Sequence, residues 1–173
     1  MYAGKSNTSI GKSFLAYTES QDGQRIVENS GFINLDININ DNAANPIAMP
    51  NDPPEYTALI NSSKKISAEF RFQFGSQNLD SRALADVTRL IKFLTKPENR
   101  RRQLILVGFT DNVGDPKKNV ILSEQRAEAV KQVLTSSGAF VKEVLGFGSA
   151  RPGDNTTEEG RSKNRRVEIW LTN

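Results

Sequence analysis

The chain of 173 residues contains neither cysteine nor histidine. Their absence excludes disulfides, thiol nucleophiles, Ser-His-Asp triads and zinc sites built from cysteine and histidine. Long apolar runs are also missing, because none approaches the roughly 18 residues that a membrane-spanning helix needs. With 23 Lys and Arg against 20 Asp and Glu, the net charge is only +3, which permits an anionic ligand without indicating nucleic acid.

The composition, 36% hydrophobic and 25% charged, is typical of a globular protein, and it changes abruptly along the chain. Four of the seven prolines and several asparagines fall within residues 40–55, where regular structure is not expected. This break predicts an N-terminal piece (1–39), a linker (40–61) and a C-terminal domain (62–173).

The N-terminal piece predicts two short helices, over 9–18 and 21–29, followed by an extended apolar segment over 32–39. About 35 residues bury little apolar surface alone, so this piece is expected to need a neighbour. The first residues lack the apolar core of a secretory signal. We therefore expect either a cytoplasmic protein or a fragment whose targeting segment has been removed.

The C-terminal domain shows cleaner periodicity. Apolar residues alternate over 66–74, as in a half-buried strand, and Ser123 predicts the N-cap of a long helix that stops at Gly138. The predicted strands are 66–74, 103–109, 141–148 and 165–171, the long helices are 80–95 and 123–138, and 158–163 is a short helical turn. The predicted order is β-α-β-α-β-(short α)-β.

The loop after the second predicted strand carries the most chemistry. Asp111 follows the strand's C-terminal end, where connecting loops commonly build binding sites. Arg126 would lie at about the third position of the next helix, where a cation opposes the helix dipole at a cost of about 0.3–1 kcal/mol. A bound anion would offset that cost, because free amide N–H groups and a guanidinium form a carboxylate or phosphate pocket. The pair suits a zwitterion, such as the amino acid end of a larger ligand.

Asp111 and Arg126 also have a purely structural interpretation. Asp111 can cap its own turn, and Arg126 can pair with Asp111 or with an acid near the C-terminus, because ion pairs near helix ends are common. Spacing alone favours this structural interpretation over a ligand site.

Several motifs in the C-terminal domain resemble the OmpA-like C-terminal domain. The run GFTDNVG is followed by Asn119 and LSEQRAEAV, and later by GFGSARPGDNTTEEGRSKNRRVEIWL. That family shows a Gly-His-Thr-Asp turn, an Asn-x-x-Leu-Ser-x-x-Arg-Ala helix start and an Asn-Arg-Arg-Val-Glu final strand. The resemblance covers about residues 66–173, and it implies a two-layer α+β domain that binds peptidoglycan non-covalently in the periplasm.

The resemblance also implies a ligand. In the family, the Asp of the turn takes the ammonium of the diaminopimelate side chain in the stem peptide, and the Arg of the helix takes its carboxylate. These residues correspond to Asp111 and Arg126. Flanking contacts correspond to Thr110, Asn119 and Leu122. Arg165 is either a second cation beside the pocket or a packed, ion-paired strand residue.

The chain departs from the family pattern in three places. Phe109 replaces the usual His at a position that supports the turn, so binding is expected to survive. The segment 72–76 (FQFGS) lacks the usual acidic or Asn residues, so Gln73 and Gly75 are expected to give a poorer pocket wall. Arg100–Arg102 form a basic loop, interpreted as solvated, with anionic glycan-linked polymers or phospholipid headgroups as the alternative contacts.

Residues 12–35 resemble the C-terminal end of phosphate-type periplasmic substrate-binding proteins. The similar segments are FLAY, DGQRIV and SGF. This resemblance implies that the natural protein carries a solute-binding domain upstream. It also implies a fragment of a protein from the periplasm or cell envelope of a Gram-negative bacterium.

The leading hypothesis is a module that anchors an envelope protein by binding the peptidoglycan stem peptide, without enzymatic activity, cofactor, metal or nucleic acid. An alternative keeps the fold but loses the ligand and serves assembly or dimerisation. Nucleic-acid binding through Arg100–Arg102 and residues 161–166 is disfavoured, because acidic residues interrupt the basic ones and no aromatic stacking strand is present. Hydrolysis by Asp111 and Glu124 is disfavoured, because no second loop-borne acid opposes Asp111.

Overall fold

The computed structural model describes residues 9–18, 20–30, 45–76, 78–79, 81–151 and 153–172, with the backbone alone at 12, 21, 28 and 81–85. The chain divides into two compact units, Met1–Asp36 and Ile37–Asn173. The first unit contains α1 (Ser9–Thr18) and α2 (Gln21–Asn29), which confirms both predicted helices. The extended segment predicted over 32–39 lies outside the described residues.

The second unit carries a four-stranded sheet, and its elements follow the predicted order after one additional helix. They are α3 (Pro54–Ser62), β1 (Ser63–Arg71), α4 (Ser81–Leu94), β2 (Leu104–Gly108), α5 (Pro116–Ser136), β3 (Val141–Gly146), α6 (Glu158–Asn164) and β4 (Arg166–Thr172). The strand order is β1-β4-β2-β3, in which β4 runs antiparallel to both neighbours and β2 runs parallel to β3. This architecture confirms the predicted α+β fold class. Among the helices of the described ranges, none combines the length and apolar composition that crossing a bilayer requires.

One face of the sheet is covered by α4 and α5. Apolar residues at strand spacing on β1 and at helical spacing on α4 and α5 point into a shared core. The buried residues of this core are Ile66, Phe70, Phe72, Val87, Leu90, Phe93, Leu104, Leu106, Ala127, Val130, Leu134, Val167, Ile169 and Leu171. Each large side chain contributes about 1.5–3 kcal/mol by leaving water, so this layer holds the strand ends in fixed positions.

The other face of the sheet is covered by α3, and the prediction of an irregular linker is wrong over residues 54–62. Pro54 occupies the first turn, where its missing N–H costs no helical hydrogen bond. Tyr56, Leu59 and Ile60 then recur at helical spacing and are buried. They pack against Ile105, Val107, Phe109 and Trp170. Sequence reasoning treated the prolines as breakers and missed the apolar stripe after them; the remaining domain boundaries stay predictions.

The second long helix, α5, begins well before its predicted N-cap at Ser123. Asp115 is the true cap, because its side chain accepts a hydrogen bond from the Lys118 N–H at 2.9 Å, and Pro116 occupies the first turn. Arg126 therefore lies about three turns inside the helix. The interaction with a helix N-terminus that first suggested an anion at Arg126 does not exist there.

A buried carboxylate, Glu168, joins α3 to the sheet. Its Oε2 accepts hydrogen bonds from the Tyr56 hydroxyl at 2.9 Å and the Trp170 indole N–H at 3.2 Å. Its Oε1 lies 3.0 Å from Lys65 Nζ and 2.9 Å from Arg166 Nη2. Burial raises the pKa of Glu168, but the charges of Lys65 and Arg166 and the hydrogen bonds outweigh burial and hold that pKa below its usual value. Glu168 is therefore ionised at neutral pH.

Replacing Tyr56 with Phe keeps the ring and removes one hydrogen bond to this carboxylate. We expect Tyr56→Phe to lower the free energy of unfolding by about 1.5–3 kcal/mol, because hydrogen bonds to charged groups contribute that much. Urea unfolding followed by the fluorescence of Trp170, the single tryptophan, measures the change. The control Tyr17→Phe, at an exposed position, should shift it by less than about 0.5 kcal/mol. Equal effects of the two variants would contradict this role of Tyr56.

Candidate functional site

The loop after β2 places Asp111 at one end of the sheet. Thr110 donates its backbone N–H to the Gly148 carbonyl at 2.8 Å, and Asp111 Oδ1 accepts the N–H of Val113 at 3.2 Å. The side-chain amide of Asn119, on the first turn of α5, donates to the Val113 carbonyl at 3.0 Å. Asp111 is only 3% exposed. Its carboxylate is therefore held in one position by bonds within the loop and to α5.

Two glycines allow α5 to lie directly on the strand ends. A Cβ at Gly108 would collide with the backbone oxygen of Ser123, and a Cβ at Gly146 would lie 2.6 Å from the Glu124 nitrogen. Ser123 is fully buried at this contact. The close approach brings Arg126, about one turn further along α5, to the same end of the sheet as Asp111.

Arg165 forms an ion pair with Asp111 and links it to Glu158. Its Nη1 donates to Asp111 Oδ2 at 2.8 Å, its Nη2 donates to Glu158 Oε1 at 2.6 Å, and its Nε donates to the Phe72 carbonyl at 3.2 Å. Burial lowers the pKa of Arg165, but the hydrogen bonds to the two carboxylates outweigh burial and raise that pKa above its usual value. The same hydrogen bond from Arg165 lowers the pKa of Glu158. The contacts of Arg165 are those of a packed, ion-paired residue, and ligand contact by Arg165 stays a prediction.

Arg126 carries a buried positive charge that contacts no carboxylate among the described residues. Its Nε donates to the Ser76 carbonyl at 2.9 Å, its Nη2 to the Gln73 carbonyl at 3.1 Å and its Nη1 to the Phe109 carbonyl at 3.5 Å. The guanidinium also lies 5.3 Å from the centre of the Phe72 ring. These partners satisfy hydrogen bonds, but none of them supplies a negative charge.

The electrostatic consequence is a guanidinium that is harder to keep charged. Burial, followed by the charge of Arg165, lowers the pKa of Arg126 to about 10, while Asp111 acts in the opposite direction. Arg126 remains protonated at neutral pH, so the fold carries an electrostatic cost at this position. Bonds to described residues use three of its five N–H groups, which leaves two for an anion. Arg126 is thus a candidate anion-binding group, although the helix-terminus reasoning that first indicated it is wrong.

An open cleft of about 680 Å³ adjoins this group on the side of β1. Its lining includes Phe72, Gln73, Phe74, Asp86, Glu158 and Arg165. Asp111 and Arg126 lie behind this lining rather than in it. A ligand that enters through the cleft would therefore meet Arg165 and Glu158 before it reaches Asp111 or Arg126.

The structure gives the remaining predicted residues different environments. Thr110 is 2% exposed, and its hydroxyl has no hydrogen-bond partner in the described part of the chain. Asn119 fastens the Asp111 loop to α5. Leu122 lies half-buried on α5, four residues before Arg126. Sequence reasoning missed Glu158; the available signal was an acidic first turn on a short helix that leads directly into Arg165.

Phe109, where the family has His, packs in the apolar cluster under α3. Its ring contacts the Tyr56 ring edge-on at 5.6 Å between centroids, and the Arg166 guanidinium lies 4.4 Å from its centre. Only its backbone carbonyl bonds to Arg126. The aromatic residue therefore fits the cover that α3 provides, and survival of ligand binding stays a prediction. Over the described residues, no group of three or more acidic side chains could hold a metal ion.

Comparison with known proteins decides the family. Residues 71–166, more than half of the chain, match the OmpA family. This chain belongs to the OmpA family. Among its relatives, outer membrane porin F of Pseudomonas aeruginosa is 33% identical over 133 residues, covering 74% of this chain and 36% of the relative. The peptidoglycan-binding protein ArfA of Mycobacterium tuberculosis is 46% identical over 65 residues, covering 36% of this chain and 20% of the relative.

The OmpA-family fold is also found among solved structures. The peptidoglycan-associated lipoprotein of Burkholderia pseudomallei aligns with a TM-score of 0.53 at 22% identity, covering 60% of this chain and 89% of that structure. At this identity the likeness concerns the fold alone. The chain spans only about a third of the length of the porin F relatives, 32% and 36%. The resemblance of residues 12–35 to substrate-binding proteins stays a prediction.

Replacing Arg126 with Lys tests how much its forked hydrogen bonding stabilises the fold. Lys keeps the charge but cannot span three carbonyls from one planar group, so we expect Arg126→Lys to cost about 2–4 kcal/mol of unfolding free energy. The control is Arg89→Lys, a half-exposed arginine paired with Asp86, which should cost less than about 0.5 kcal/mol. Urea unfolding reports both, and a change below 1 kcal/mol for Arg126→Lys would overturn the assignment.

Proposed function

We propose that this OmpA-family domain binds peptidoglycan through the diaminopimelate of the stem peptide and so anchors an envelope protein to the cell wall. The observation that carries the proposal is the buried guanidinium of Arg126, whose described partners are all neutral carbonyls. It lies at the same end of the sheet as the buried carboxylate of Asp111. The similarity to a relative named for peptidoglycan binding supports the same conclusion.

The diaminopimelate side chain ends in an ammonium and a carboxylate on one carbon. Asp111 would accept the ammonium, since an ionised carboxylate has about four acceptor positions and the described bonds to Arg165 and Val113 use two. Arg126 would donate to the carboxylate through its remaining N–H groups. A zwitterion adds no net charge, so the site stays balanced while Arg126 gains its missing countercharge.

The affinity that this arrangement offers can be bounded. Each charge-assisted contact contributes about 1.5–3 kcal/mol, so two contacts correspond to a gain of about 10²- to 10⁴-fold. Burial of both protein groups strengthens the contacts, because the local dielectric constant is low. The cell wall repeats the same stem peptide many times, so modest affinity per site suffices for retention.

The proposed setting is the periplasm of a Gram-negative cell envelope, and the proposed partner is the stem peptide rather than nucleic acid. The name of the porin F relative, an outer membrane protein, supports this setting. The basic residues near α6 are engaged in ion pairs: Arg161 with Glu158, Arg165 with Asp111, and Arg166 with Glu168. Paired cations offer little attraction to a phosphate backbone, which weighs against the nucleic-acid hypothesis.

A second candidate is a domain that keeps the fold but has lost the ligand. The observation that favours it is the closed contact between Asp111 and Arg165, in which both side chains are nearly buried. In that case Arg165 permanently occupies the position of the ligand ammonium, and the domain serves assembly or dimerisation. Failure of the unmodified chain to bind peptidoglycan would select this candidate.

The test measures binding of the stem tripeptide L-Ala-γ-D-Glu-meso-diaminopimelate by calorimetry. We expect Asp111→Asn to weaken binding at least tenfold, because the ammonium loses its charged partner. On the unmodified chain, the matching tripeptide with L-Lys should also bind at least tenfold more weakly, because it lacks the side-chain carboxylate. The second comparison needs no variant, so it remains valid if Asp111→Asn proves unstable.

The control variant is Glu124→Gln, which removes an exposed acid on the adjacent α5. It should bind the diaminopimelate tripeptide within twofold of the unmodified chain. Retention on purified peptidoglycan should follow the same order, with no muropeptides released into solution. Equal binding of the two tripeptides would refute the diaminopimelate assignment, and release of muropeptides would revive the hydrolase hypothesis.

A further inference from the structure

A second indentation lies at the end of the sheet opposite Asp111. Asp111 follows the C-terminal end of β2, whereas this groove lies beside the residues that precede β2 and β3. It encloses about 300 Å³ between the last turns of α4 and α5. Its lining includes Ile91, Leu94, Asn99, Arg102, Ala139 and Phe140.

Asn99 brings an unsatisfied acceptor to this groove. The residue is only 3% exposed, and its Nδ2 donates to the Phe93 carbonyl at 3.0 Å, which fixes the orientation of the amide. Its Oδ1 is buried and has no hydrogen-bond partner in the described part of the chain. A buried acceptor left unpaired costs about 1–3 kcal/mol, so a ligand that carries an N–H donor would recover that energy.

Arg102 brings an unsatisfied donor to the same groove. Its Nη1 is buried and also lacks a partner among the described residues. The other two arginines of the basic loop differ, because Arg100 donates its Nε to the Thr95 carbonyl at the end of α4 and Arg101 is exposed to solvent. The interpretation of Arg100–Arg102 as a uniformly solvated loop is therefore wrong for Arg102.

The rest of the groove is apolar. Ile91, Leu94 and Ala139 are partly buried against the core, and Phe140 is 64% exposed at the rim. An exposed aromatic residue next to a cationic, half-enclosed slot is typical of a recognition surface rather than of a solvated loop. The surrounding charge is positive, with Lys96 and the arginines outnumbering Glu98.

We propose that this groove binds the C-terminal residue of a partner protein, with an apolar side chain. Its carboxylate would accept from Arg102 Nη1, its backbone N–H would donate to Asn99 Oδ1, and its side chain would lie against Ile91, Leu94 and Phe140. A C-terminal residue carries these three features within one unit. The volume, near the lower limit of about 300 Å³ for ligand pockets, suits such a unit.

An anionic lipid surface fits these observations less well. A phosphate would satisfy Arg102, but the headgroup of an anionic lipid such as phosphatidylglycerol has no N–H to offer Asn99. A flat membrane would also leave the buried acceptor unreached inside the slot. The proposal does not depend on diaminopimelate binding, since the two sites share no residue and lie at opposite ends of β2.

The test is an NMR titration of the ¹⁵N-labelled chain with acetyl-Ala-Ala-Leu that carries a free carboxylate, against the same peptide with a C-terminal amide. The free acid should give saturable shifts in the amides of 99–102 and 137–140, and the amide form should bind at least tenfold more weakly. Arg102→Gln should weaken binding of the free acid at least fivefold. Its matched control, Arg101→Gln, removes the same charge at an exposed position and should weaken it less than twofold.

Absence of saturable shifts with the free acid would overturn the proposal, as would equal affinity for the two peptides. Equal losses in Arg102→Gln and Arg101→Gln would reduce the effect to general charge attraction and would also overturn it. Binding to phosphatidylglycerol vesicles without binding to the peptide would assign the groove to lipid instead. Retention on peptidoglycan should be unchanged in both variants, so failure here and failure of the anchoring function are distinguishable.

Discussion

The buried guanidinium of Arg126 is the constraint on which the candidate site depends. From one position on α5 it binds Gln73 and Ser76, which follow β1, and Phe109, which follows β2. A planar group with five donors can join two loops in this way, whereas an ammonium group cannot. Carbonyl oxygens fix the geometry but leave the charge without a counterion. The loops are therefore organised around a cation that remains electrostatically incomplete, which is the property expected of a preformed anion site.

The sheet topology explains why these groups meet. Because β4 lies between β1 and β2 and runs antiparallel to both, its first residues lie beside the last residues of its neighbours. The pairs Arg71 with Arg166 and Gly108 with Val167 show this directly. Arg165, just before β4, thus lies between the chain that leaves β1 and the loop that leaves β2. The ion pair of Arg165 with Asp111 follows from strand order, although the two residues are far apart in sequence.

Sequence reasoning predicted the strands, the order of elements and the position of Asp111, because these depend on short-range periodicity and on strand ends. It misplaced the start of α5, since Val120 and Ile121 are apolar but substantially exposed, so their pattern does not indicate a buried helical face. Ser123 resembled a cap because serine is favoured there, yet in the fold its hydroxyl accepts a buried N–H from Gly148. Long-range contacts of this kind have no local signature. The same holds for α3, whose Tyr56 gains its value only from Glu168, 112 residues later.

An anchor has to hold two things at once, and the two ends of β2 meet that requirement differently. The strand is five residues long, so the loops at its ends are separated by about 16 Å, beyond the distance at which substitutions usually couple. At one end a buried cation lacks a countercharge, and at the other a buried amide oxygen and a guanidinium nitrogen lack partners. Each end would release an unfavourable energy only when its own ligand arrives. A domain built in this way can bind the cell wall and a protein partner simultaneously, without either ligand having to change the fold.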